Sequence, residues 1–319
     1  MRVGGNLDVT CVNPLTNTDV QQNSEMVNCA SSPKSTTTTT TSTTATTTTS
    51  TPTTTTTTTT DPPPTTTTTT TAGKWSCTVR NNGECNFPAD SQITGPSDMS
   101  TPYVDQNIWS PISGFSQTLS ANSPQDWQAV TNSPKGNTGV VAFTNTGVTL
   151  GDPVSSFSQI TGSVSENMNA NANTSSWAMY DNWYNNWNDE VMIQYDFAGN
   201  GDCTPVATAQ FGGSDGVPVQ TWHLCDFTSP GDSGQTLDWK LGAGEGSEKQ
   251  SESGGSFDLL AMTEWLETHT APAGQQLSGY TTYLPPASTW TAISNGWEVA
   301  STGGVPETYT MNNYSLTMK

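Results

Sequence analysis

Positive charge is what this chain lacks most. Its 319 residues carry 8 Lys plus Arg against 28 Asp plus Glu, a formal net charge of −20. A surface of that sign repels phosphate backbones and anionic lipid, so neither nucleic acid nor a membrane is expected as a partner. A neutral polymer meets no such barrier. Long apolar runs are missing as well. No stretch approaches the ~20 residues of a membrane-spanning helix, and Met1-Arg2-Val3-Gly4-Gly5-Asn6 lacks the apolar stretch of a signal peptide. None of the six cysteines stands in a CxxC pair, and His223 and His269 are too few to complete a zinc site. No metal and no cofactor is therefore expected. Ser-His-Asp hydrolysis through His223 finds no strand-to-helix nucleophile elbow, and no internal repeat is visible.

Charged residues make up 11% of the chain, and Asn, Thr, Ser, Gly and 11 Trp fill the deficit. The cysteines fall in three local groups, Cys11 with Cys29, Cys77 with Cys85, and Cys203 with Cys225. An even, locally spaced set predicts three disulfides and an oxidising compartment, hence an extracellular, secreted location. Residues 1–34 form a short Asn-rich piece of unknown role. Residues 35–72 are almost pure Thr broken by prolines, an extended linker suited to O-glycosylation. Residues 73–319 are long enough to bury a core of their own.

In that last region short alternating segments are separated by Gly, Asn, Ser and Pro clusters, which predicts an all-β sandwich. The expected strands are 103–109, 117–119, 139–144, 157–164, 176–183, 190–197, 204–211, 217–227, 237–241, 289–298 and 307–318. The turn Gly212-Gly213-Ser214-Asp215-Gly216 should return the chain and bring Cys203 to Cys225. One segment breaks the pattern. Ser256 to Thr268 has helix-spaced apolar residues, with Ser256 as N-cap and Asp258 early in the first turn. It reads as one helix on the convex back of the sandwich, preceded by an exposed loop over 242–255.

The run Asp189 to Phe197 carries the most information. Period-two alternation puts Glu190, Met192, Gln194 and Asp196 on one face, and Val191, Ile193, Tyr195 and Phe197 on the other. The second face is core; the first suits the floor of a polar groove. Glu298 ends another alternating run, with Trp290, Ala292 and Ser294 expected on its face and Trp297 pointing away from it. Two carboxylates on neighbouring strands of a concave sheet are the parts that glycoside hydrolysis requires.

Several motifs, in order, resemble those of glycoside hydrolase family 12, the β-jelly-roll endoglucanases. They are Tyr103-Val104-Asp105-Gln106-Asn107-Ile108-Trp109, Val141-Ala142-Phe143-Thr144-Asn145, Ala178-Met179-Tyr180-Asp181-Asn182-Trp183, Glu190-Val191-Met192-Ile193 and Gly296-Trp297-Glu298. Gly212-Gly213 through Trp222 and the single helix also fall where the family has them. The resemblance covers about residues 95–319. It implies a two-sheet, concanavalin-like jelly roll and a retaining endo-β-1,4-glucanase or xyloglucanase acting as a monomer on β-glucan. Glu190 would be the nucleophile and Glu298 the acid/base, with Asp181 orienting Glu190 and Asn107, Trp109 and Met192 contacting sugar. The bland alternatives are a turn cap for Asp181 and core packing for Trp109. Trp183, Tyr184 and Trp187 either line the cleft or close a hairpin. Gln194 departs from the family, which has a cleft tryptophan there. The rival reading is a non-catalytic β-glucan-binding or surface-display module on a Thr-rich stalk.

Overall fold

The structure is a computed structural model. It describes residues 102–108, 112–199, 203–228, 233–242, 254–276 and 279–319, and the backbone of four short strands in the preceding region. Trp109, both remaining cysteine pairings and the Thr tract lie outside the described residues.

The four short strands are β1 (Val9–Cys11), β2 (Val27–Asn28), β3 (Trp75–Val79) and β4 (Cys85–Pro88). There follow β5 (Tyr103–Asp105), β6 (Ser116–Ser123), β7 (Asp126–Asn132), β8 (Ala142–Thr149), β9 (Ile160–Met168), β10 (Thr174–Tyr184) and β11 (Asp189–Ala198). After these come β12 (Ala207–Phe211), β13 (Gln220–Asp226), β14 (Thr236–Leu241) and β15 (Gly254–Asp258). Helix α1 (Leu259–Thr268), β16 (Trp290–Thr302) and β17 (Glu307–Met318) complete the chain. They form a seven-stranded sheet, β1-β3-β6-β7-β17-β9-β15, and a ten-stranded sheet, β12-β13-β14-β11-β10-β16-β8-β5-β4-β2. The expected all-β jelly-roll sandwich is observed.

The core lies between the sheets and is built from alternate residues of each strand. Ala178, Tyr180 and Tyr184 of β10, Val191 and Ile193 of β11, and Leu237, Trp239 and Leu241 of β14 face inward. From the smaller sheet they meet Ile160, Val164, Tyr309, Met311, Tyr314 and Leu316. Tyr180 sits at the middle, with ring centroids 6.0 Å from Tyr195, 5.8 Å from Phe257 and 6.1 Å from Tyr314. Its phenol projects onto Gly162 of β9, where any Cβ would collide with it. Trp297 of β16 packs edge-on against Trp127 of β7 at 5.2 Å. That contact pins β16 to the opposite sheet and, by alternation, turns Glu298 away from the core, as expected.

Three expectations need correction. Helix α1 is capped by Asp258, whose side chain accepts from Ala261 N at 3.1 Å, and not by Ser256. Gly254 to Asp258 pair instead with β9 as a strand. Phe257, packed against Tyr180, Tyr195 and Trp222, makes that pairing worth more than two further helical residues. Trp290 is not on the face of Glu298. A register shift at Trp183/Tyr184 places Trp290 opposite Tyr184, in the core. The alternation of β11 also breaks: Gln194 pairs with Met179 but Asp196 with Ala178, leaving Tyr195 as a bulge. Beyond it, Asp196 shares the inward face of Ala178, and Phe197 lies opposite Trp177.

α1 packs behind the large sheet. Its Thr263 hydroxyl bonds the Tyr184 phenol at 2.7 Å, and Trp265 meets Trp239 at 5.2 Å. The helix therefore stiffens β10 and β14 from behind the strands whose outer face forms the cleft.

Candidate active site

The outer face of the large sheet is a cleft whose rows follow from strand register. Across one row stand Asp238 of β14, Met192 of β11, Asp181 of β10 and Ser294 of β16. Across the next stand Lys240, Gln194, Met179, Gly296 and Asn145. Phe143, Met179 and Met192, with Trp177 packed on them, form an apolar cluster separate from the core. Among the described residues no further sheet covers this face, the floor of the cleft.

Glu190 and Glu298 rise from opposite sides of that floor. Glu190 is opposite Trp183 of β10, whereas Glu298 is opposite Trp177 of the same strand. On a flat strand these positions would be about 20 Å apart. Each carboxyl nevertheless acts on the same intervening side chain. The charge of Glu190, and more weakly that of Glu298, helps hold the buried Asp181 well above the usual carboxylate range. Both carboxyls are therefore near enough to Asp181 for their charges to act on it. Asp181 lies between them, with Oδ2 accepting the Trp183 indole N–H at 2.9 Å and Oδ1 buried without a protein partner. It does not cap a turn.

Burial sets the protonation order. It lifts Glu190 to about 7. Burial, then the charges of Glu190 and Asp238, lift Glu298 to about 8.

Asp238 and Lys240 were not among the sequence-derived candidates. The alternation Leu237-Asp238-Trp239-Lys240-Leu241 carries the signal, since it puts both charges on one face. They form a buried ion pair at 3.7 Å. Burial, with the charge of Glu190, raises Asp238 to about 7 against the opposing pull of Lys240. Cys225, cross-strand from Asp238, is bonded to Cys203 with Cα atoms 5.9 Å apart, the disulfide expected from the sequence. Gln194 lies on the floor beside them, its Oε1 buried and without a partner.

Of the other candidates, Met192 lies on the floor next to Asp181. Asn107 stands at the β5–β8 end in a left-handed conformation, φ 38°, its N–H bonded to Asp105 Oδ1 at 3.0 Å and its carbonyl accepting from Phe143 N. Among the described residues no group of three His, Cys, Asp or Glu is arranged to hold a metal ion.

No family model matches the sequence, and no curated protein matches it either. Solved structures do. The xyloglucanase domain of a type three effector from Sinorhizobium fredii, in complex with cellobiose, superposes with a TM-score of 0.55 at 18% identity over 77% of this chain and 99% of that one. The fold is that of the family 12 glycoside hydrolases. A family 12 xyloglucanase from Bacillus licheniformis gives 0.53 at 19% identity, covering 74% of this chain and all of its own. The family 12 endoglucanase 3 of Trichoderma harzianum gives 0.53 at 13% identity, over 74% and 98%. At these identities the likeness to family 12 is one of architecture.

Proposed function

We propose that this chain is a secreted retaining endo-β-1,4-glucanase of the cellulase or xyloglucanase type. Glu190 attacks the anomeric carbon to give a covalent glycosyl-enzyme. Glu298 protonates the departing oxygen and then, as a base, deprotonates the incoming water. Asp181, held by the Trp183 indole, positions Glu190, while Met192, Asn107 and Trp109 contact the sugar chain. One observation supports this reading: Glu190 and Glu298 flank Asp181 on the outer face of one sheet, on β11 and β16 either side of β10, near enough that the charge of Glu190 raises Glu298. A binding module needs the sugar-facing surface but not two interacting carboxyls.

The test is release of reducing ends from a panel of soluble β-glucans, with the anomeric configuration of the first product read by proton NMR. Glu190→Gln should abolish release while preserving fold and glucan binding, because it removes the attacking charge and little volume. A wild-type protein that binds glucan without cleaving it would leave the binding-module reading in its place. Inverted product would exclude double displacement.

A further inference from the structure

The hairpin turn between β10 and β11 is built at odds with its residue types. Asn185, Asn186 and Trp187 are all left-handed, with φ of 52°, 59° and 66°. Asn tolerates that region because its short amide bonds locally, but for a bulky ring it is an outlier. The turn is held there from several directions. Asn185 N donates to Thr289 O at 2.8 Å, and Asn188 N to Tyr184 O at 3.0 Å. The Asn185 amide donates to Asp189 Oδ2 at 2.7 Å, and its oxygen accepts from Thr289 N at 3.0 Å. Asn186 N donates to Thr291 Oγ1 at 2.9 Å.

What this scaffold displays is Trp187, 51% exposed and thus among the most exposed large apolar side chains described. Its ring leans on Trp183 at 5.7 Å with an interplanar angle of 49°. Trp183 in turn stands opposite Glu190 and gives its indole N–H to Asp181. Strained backbone that the surroundings over-determine is a mark of function, and an aromatic face open to water has surface to offer a partner. This one is continuous with the catalytic wall and flanked by the exposed Asn186 and Asn188, whose amides suit hydroxyl groups.

We infer that Trp187, backed by Trp183, is a stacking platform for a sugar branch on the glucan backbone, a role that rests on the glucanase reading above. Successive units of a β-1,4-glucan are turned over by about half a turn, so their O6 groups point alternately to the two walls of a cleft that crosses the strands. A branch at O6 on the Glu190 side extends toward the β10–β11 turn that carries Trp187, farther than a bare hydroxymethyl group does. The substrate class this favours is a branched glucan of the xyloglucan kind over a linear one.

The experiment uses the full chain carrying Glu190→Gln, titrated calorimetrically with a branched xyloglucan oligosaccharide and with an unbranched cello-oligosaccharide of equal backbone length. Adding Trp187→Gly should weaken the branched ligand about fivefold and the linear one less than about twofold, as expected for one lost ring contact. Glycine also relieves the left-handed strain, so Tm should hold or rise. Equal weakening of both ligands, no weakening of either, or a fall in Tm would each overturn the platform. If the Glu190→Gln parent binds neither ligand, the glucanase reading itself fails and the platform fails with it.

Discussion

The protonation order of the cleft makes a quantitative demand on the pH dependence of kcat/KM, which reports the groups of the free enzyme. With Glu190 at about 7 and Glu298 at about 8, the profile should be a narrow bell centred midway between them. One unit of separation makes the productive form, Glu190 ionised and Glu298 protonated, about tenfold more populated than its mirror. At the centre, about six-tenths of the enzyme is then in that form. Asp238→Asn tests the cause. Asp238, pushed up to about 7, is ionised over the alkaline limb and there helps keep the proton on Glu298. Removing its charge lowers the pKa of Glu298, so the alkaline limb must move to lower pH. Across a water-open surface a charge pair of this kind is worth up to about 1 kcal/mol, so the limb should move down by up to about 0.7 pH units. The assay is initial rates at subsaturating glucan across the pH range, with circular dichroism to confirm that the variant folds. An alkaline limb that stays put or moves up would refute the argument. So would a wild-type bell lying wholly in the range of exposed carboxylates.

Glu298→Ala should lose about 10²- to 10⁴-fold on polymeric glucan yet recover on an aryl glucoside whose leaving group departs unprotonated. Equal loss on both substrates would remove Glu298 from the acid role. The Cys203–Cys225 bridge spans 22 residues, so replacing both cysteines with Ala should cost about 3 kcal/mol and lower Tm by about 6 to 12 °C. A shift under about 2 °C would show that the bridge restrains little beyond what β12 and β13 already fix by pairing.

The architecture was legible in the sequence because most strands advertise themselves by period two, and the order of motifs pointed to the family 12 fold. The misses have physical causes. β7 was overlooked because its inward set, Trp127, Ala129 and Thr131, contains one strongly apolar residue, and its burial comes from the opposing sheet. β15 begins with two glycines and reads as loop until its pairing with β9 is known. The bulge at Tyr195 has no residue signature, since Gln194, Tyr195 and Asp196 are each ordinary in a regular strand. Glu190 and Glu298 lie in motifs, so the sequence alone names them as candidates. Asp238 lies in a strand that was found, but its role depends on the parallel pairing of β14 with β11, a non-local fact that no spacing encodes.

The placement of β16 and β17 bears on how the molecule comes into being. β16 runs between β8 and β10 in the large sheet, and β17 between β7 and β9 in the small one. The two are consecutive in the chain, joined through Gly303 and Gly304. A nascent chain that has not yet made them holds two sheets split down the middle, with four inner edges open to any other strand. One strand–turn–strand unit, with a strand in each sheet, then closes both splits at once and carries Glu298 into position. Such long-range closure is slow, and the species waiting for it is the one prone to aggregate. Chaperone demand should therefore peak just before residue 290 is made.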